Sequence, residues 1–182
     1  MKKIILILLS ITATSCIPTR VAPRFSGHKV MQAKKFKRKL PRETAFIFKD
    51  LKNEGEIYKY FNTKFQLNDI DVGYNTPFEI DHNTYYITYR ETDIEDKKLN
   101  LLGFLTDVTL DKNGIDPIFD DNGYVFRKGH WYILLTVYDE DLKNCLIDGH
   151  PKRSIILEYL KNLKKEYLST QNYEELLFAK KS

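Results

Sequence analysis

Cysteine occurs only twice in this 182-residue chain, at positions 16 and 145. Two thiols are too few for a disulfide framework or a paired-cysteine metal motif, so stability has to come from packing. Several catalytic signatures are also missing. There is no Gly-x-Ser-x-Gly elbow, no glycine-rich phosphate loop and no His-Glu-x-x-His helix, which removes the readily recognised hydrolase, nucleotide-binding and zinc-protease patterns. No internal repeat or low-complexity tract is present. The longest apolar run, Ile4 to Leu9 extended by Ile11, reaches only about ten residues, against about twenty for a membrane-crossing helix. Acidic residues are wholly absent from positions 17 to 42.

What is present begins at the N-terminus. Lys2 and Lys3 precede the short apolar run, and Ala13-Thr14-Ser15 are small residues placed directly before Cys16. That order of charge, apolar stretch and small residues is an export signal. With a cysteine at the cut point, the segment resembles the signal of bacterial lipoproteins, with Ala13-Thr14-Ser15-Cys16 in the place of the lipobox. Ala13 and Ser15 stand where that family more often has Leu and Gly or Ala. The resemblance implies cleavage after Ser15, a diacylglyceryl group on the Cys16 thiol and acylation of the new amino group. Two or three chains exceed the single chain that gives only marginal membrane binding.

The expected division is a signal peptide over 1–15, a lipidated basic tether over 16–42 and an acidic domain over 43–182. The tether carries nine basic residues, whereas the domain has 18 basic and 25 acidic ones. Pro18, Pro23, Ser26 and Gly27 mark its first half as a linker. Lys34, Lys35, Lys37, Arg38 and Lys39 form a cluster suited to anionic headgroups, each charge contributing about 1 kcal/mol near a membrane surface. A solvated tether has the same composition. Export argues against nucleic acid as the partner. Ile17-Pro18-Thr19-Arg20 lacks the acidic residues that follow the cysteine of some outward-facing lipoproteins, which suggests a periplasm-facing anchor.

Periodicity predicts an α+β domain: an antiparallel sheet of four or five strands packed against an N-terminal helix and a long C-terminal helix. Strands are expected at Thr44–Lys49, Tyr85–Arg90, Leu99–Leu110, Tyr124–Arg127 and His130–Tyr138. Asn53 is placed as the N-cap of a helix whose face is Ile57, Tyr60, Phe61 and Phe65. After Pro151, apolar residues recur at helical spacing from Ile155 to Leu168, with lysines opposite; packing on the sheet is favoured over lying on a membrane. Tyr173–Phe178 forms a short terminal element. The Asx- and Gly-rich stretch from Asn68 to Pro77 reads as a loop and a candidate binding loop.

Candidate chemistry is sparse. Asp81-His82 and Asp148-x-His150 pair carboxylate with imidazole, yet both occur in turn-like sequence, where such residues shape the backbone. Cys145 and His150 could be proposed as nucleophile and base, but a lone cysteine between apolar neighbours reads as core. No catalytic residue, metal ligand or cofactor is assigned. The abundant aromatics, 12 Tyr and 11 Phe with one Trp, cannot all hide on one sheet face, because alternate strand residues point opposite ways. Tyr74, Tyr86, Arg90 and Trp131 are the candidate binding residues, with Glu91, Asp93, Glu95 and Asp96 as an acidic rim. The leading expectation is a membrane-anchored envelope lipoprotein that binds a protein or small ligand without catalysis, an immunity protein against a secreted toxin being one form. The alternatives are an envelope hydrolase using His130 and His150 with nearby Asp residues, and a structural lipoprotein of an envelope assembly.

Overall fold

The computed structural model describes residues 17–20, 22–95, 97–99 and 129–179. They fall into two compact units, Met1–Arg24 with Ile94–Gly129 and Phe25–Asp93 with His130–Ser182. In the first, strand β1 (Ile17–Arg20) pairs antiparallel with β6 (Lys97–Leu99), and the register shifts between Pro18 and Arg20. The second contains β2 (Lys29–Gln32), α1 (Ala33–Phe36), β3 (Thr44–Lys49), α2 (Glu56–Phe65), β4 (Thr76–Ile80), most of β5 (Asn83–Ile94), β7 (His130–Asp139), α3 (Arg153–Ser169) and α4 (Glu175–Ala179). Five strands form an antiparallel sheet in the order β2-β3-β7-β5-β4, so the predicted class is correct. Among the described residues no helix is long and apolar enough to cross a membrane.

One face of the sheet holds the main core. Phe46 and Phe48 of β3, Ile133, Leu135 and Val137 of β7, and Tyr85 and Ile87 of β5 meet Ile57, Tyr60 and Phe61 of α2 and Ile156, Leu160, Leu163 and Tyr167 of α3. The apolar residues of α3 recur every three or four positions, so they fall on one side of the helix and pack against the strands. The opposite face also buries Ala45, Ile47, Tyr132 and Leu134. There the ring of Phe25 stacks on Tyr132 with centroids 6.0 Å apart, and Phe36 meets it edge-on at 4.9 Å.

Several details differ from expectation. Lys29–Gln32, expected within the tether, pairs with β3 as an edge strand, with Val30 opposite Phe46. A four-residue strand with lysine at its start shows no alternation long enough to separate it from a linker. Thr76–Ile80, whose first two residues fall in the Asx- and Gly-rich stretch expected as loop, is the opposite edge strand and pairs with β5. Asp81 and His82 are the two residues of the intervening hairpin turn, with φ of 49° and 61°. Positive φ at both positions is the turn that matches strand twist, so this pair serves the backbone and not chemistry. Asn53 provides no side-chain cap. Its carbonyl accepts the Glu56 amide, and Gly55 precedes the helix in the left-handed region. Apart from Leu99 in β6, the expected strands Leu99–Leu110 and Tyr124–Arg127 lie outside the described residues.

Candidate functional site

A cavity of about 590 Å³ opens where the C-terminal turn of α2, strand β4, helix α3 and helix α4 meet. Its walls are Lys64 and Phe65 from α2, Pro77, Phe78 and Glu79 from β4, Tyr159 and Glu166 from α3, and Leu176 from α4. Alternation on β4 sends Phe78 inward, and helical spacing brings Tyr159 over it; their rings stack at 4.4 Å with planes 12° apart. The polar wall is equally ordered. Glu166 Oε1 lies 2.6 Å from Lys64 Nζ, and the buried Tyr60 hydroxyl donates to the same oxygen at 2.7 Å. Burial, then the bond to Glu166, pushes the Tyr60 pKa far upward, so the hydroxyl stays a donor. Burial likewise raises Tyr159. An aromatic wall beside one cation and two carboxylates, Glu79 and Glu166, suits a ligand with an apolar body and a polar end.

A second cluster lies at the far end of β7. Asp139 closes that strand, Cys145 sits in the chain returning beside it, and His150 precedes α3. His150 Nε2 is 3.2 Å from Asp139 Oδ2, and His150 Nδ1 accepts the Lys152 amide at 3.2 Å. The ring proton therefore resides on Nε2 and is donated to the carboxylate. For Asp139, burial works to raise the pKa, but the Lys143 amide and His150 outweigh it and hold the carboxyl below its ordinary value. Burial pushes the Cys145 thiol up to about 11, with Asp139 adding to the shift, so this thiol is not an activated nucleophile. The Asp148 expected beside His150 instead turns outward, 98% exposed, and pairs with Arg153 at 3.2 Å.

The candidate residues from the sequence do not converge. Tyr74 is 62% exposed in the loop after α2. The acidic part of that loop holds its own shape: Asp69 accepts from Asn62 at 2.6 Å and from the Tyr58 hydroxyl at 3.1 Å. Tyr86 and Arg90 occupy β5 positions alternating with core residues Tyr85 and Ile87, whereas Trp131 shares its side of β7 with core residues Ile133 and Leu135. Tyr86 and Trp131 thus lie on opposite faces of the sheet. His130 and His150 have no common site either. Ten-residue β7 starts at His130 and ends at Asp139, which holds His150, a span of about 30 Å. Lys34, Lys35, Arg38 and Lys39 are exposed, but Lys37 is drawn into the fold, bonding Asp93 Oδ1 at 3.0 Å and Thr92 Oγ1 at 2.9 Å. That contact also offsets the charge of Asp93 in the expected acidic rim. The sequence offered no signal for the cavity, whose walls come from four separate elements.

The basic side of α3 forms a third feature. Lys161, Lys164 and Lys165 border a hollow of about 410 Å³ with His28, whose ring stacks on Phe46 at 4.4 Å. Burial, then Lys161 and Lys164, lowers the His28 pKa. His28 is therefore neutral in the fold when it is already charged in the unfolded chain, so its contribution is complete above about pH 6.5 and is lost as pH falls. Urea unfolding at about pH 7.5 and about pH 5.5 is expected to show a smaller loss of stability for His28→Gln than for the parent chain.

Comparison with known proteins finds no matching family model, curated protein or solved structure.

Proposed function

We propose that this chain is a lipid-anchored protein of the cell envelope, facing the periplasm, whose α+β domain binds a protein or small ligand without catalysing a reaction. The observation carrying the binding half is the cavity between α2, β4, α3 and α4, with stacked Phe78 and Tyr159 on one side and the Lys64–Glu166 pair on the other. The anchor rests on Lys2, Lys3, the short apolar run and Ala13-Thr14-Ser15-Cys16. Lys34, Lys35, Arg38 and Lys39 supply exposed positive charge suited to anionic lipid.

Two measurements test the two halves. Metabolic labelling with a lipid precursor is expected to mark the parent chain and not Cys16→Ala; equal labelling of both would refute the anchor. For binding, crosslinking in membranes followed by purification is expected to recover a stoichiometric partner or ligand. Glu79→Lys, which changes an exposed wall residue, is expected to reduce that recovery without altering thermal unfolding. Absence of any stoichiometric species from the parent chain counts against the binding reading.

A further inference from the structure

The geometry points to a divalent-metal site of the zinc class formed by Asp139, Cys145 and His150. Donor atoms from these three residues all lie within 4.8 Å of one another. Tetrahedral zinc with bonds of about 2.0–2.3 Å sets its ligand atoms about 3.3–3.6 Å apart, so the observed triangle closes onto an ion with small side-chain rotations. The Nε2–Oδ2 edge, at 3.2 Å, is already near that separation.

The surroundings hold these donors in place. The Cys145 amide donates to Val137 O at 2.8 Å, and Tyr138 bridges Asn144, so the thiol is fixed beside the end of β7. Asp139 Oδ1 accepts the Lys143 amide at 2.8 Å, which orients the carboxylate and leaves Oδ2 toward His150. Such outer bonds are what pre-position metal ligands. Cys145 is fully buried and the His150 side chain is only 6% exposed, whereas Asp139 is 22% exposed and borders a cavity of about 370 Å³. Asp139 and His150 line that cavity and Cys145 lies behind them, so an ion would enter on the carboxylate–imidazole side, where a water can complete the coordination as in three-ligand zinc sites. A thiolate, an imidazole and one carboxylate together favour zinc and its neighbours over calcium or magnesium, which take oxygen ligands.

Binding balances as follows. The thiol proton passes to bulk water as the sulfur–metal bond forms, and the imidazole proton moves from Nε2 to Nδ1 as Nε2 takes the ion. The Lys152 amide, which now donates to Nδ1 at 3.2 Å in an exposed position, gives up that bond to water as the imidazole ring rotates away from it onto the ion. One proton is released per ion. The site is separate from the α2–β4–α3–α4 cavity, and its test reads neither ligand nor membrane.

The test uses the full chain carrying Cys16→Ala, in which Cys145 is the sole thiol, kept reduced. Titration with cobalt(II) is expected to reach one ion per chain, with a thiolate-to-cobalt charge-transfer band in the near ultraviolet and visible bands of four-coordinate intensity. Zinc is expected to displace it. Cys145→Ser is expected to abolish the charge-transfer band, and Asp139→Asn or His150→Ala to weaken zinc binding more than tenfold, since outer-shell losses alone cost about 10–100-fold. Lack of a charge-transfer band at saturating cobalt in the Cys16→Ala chain overturns the assignment without recourse to any other variant. Zinc affinity unchanged in a folded Cys145→Ser chain, checked by circular dichroism, overturns it as well.

Discussion

Replacing Tyr60 with alanine is expected to cost about 3–5 kcal/mol, a large part of the about 5–15 kcal/mol that holds a typical domain together. Tyr60 is fully buried on α2 and is a hub of the aromatic core. Its ring lies 5.3 Å from that of Tyr167 and 5.7 Å from that of Tyr173, so it joins α2, α3 and the segment leading into α4. Truncation opens a void that none of these helices can fill without losing its other contacts. Tyr60→Phe separates ring from hydroxyl. It keeps the packing and removes the hydroxyl's bonds to Glu166 and, at 3.3 Å, to the Leu163 carbonyl; Glu166 retains Lys64 at 2.6 Å, so a loss of about 1 kcal/mol is expected. Thermal unfolding should place Tyr60→Ala about 6–20 °C below the parent and Tyr60→Phe only a few degrees below it. Equal losses for the two variants would show that the hydroxyl and not the ring matters.

Gly73→Ala is expected to destabilise by about 2–5 kcal/mol. Gly73 is buried with φ of +86°, where a side chain costs about 1–2 kcal/mol. A β-carbon there would lie 2.1 Å from Tyr89 Cε1, and relieving such overpacking adds about 1–3 kcal/mol. Neither side moves freely. The Gly73 carbonyl accepts the Tyr89 amide at 3.1 Å, while the Tyr89 ring packs against Phe61 at 4.8 Å. Pairing Gly73→Ala with Tyr89→Leu should recover the overpacking part and leave the backbone part. A double-mutant cycle by urea unfolding is expected to give a coupling of about 1–3 kcal/mol, and strict additivity would contradict the contact.

The sequence made some parts of this molecule legible for definite physical reasons. β3, β5 and β7 are long enough to show β-branched and aromatic enrichment, and the apolar residues of α2 and α3 recur at helical spacing. β2 and β4 were illegible because one is four residues of mixed character and the other contains Pro77. Parity within β5 does tell Tyr86 from Tyr85. It does not say which side of β7 faces the same way, because register between strands is a tertiary property, and Tyr86 and Trp131 consequently parted company. The cavity is less visible still: Lys64 and Glu166 meet across 102 positions. For the metal triad, Cys145 and His150 were noticed, but the partner carboxylate belongs to Asp139 and not to Asp148, the nearer residue in sequence.

Pro77 also bears on how this domain can be approached. β4 ends the sheet, and its two-residue turn to β5 makes Ile80 and Asn83 a hydrogen-bonded pair. The pattern then alternates, so the main-chain groups of Pro77 and Glu79 are the ones directed away from β5. Proline has no N–H, and one of the two outward donor positions on this edge is therefore blank. An extended peptide seeking to lengthen the sheet here would find an incomplete ladder, as would a neighbouring copy of the same chain. Recognition on this flank has to be read by side chains.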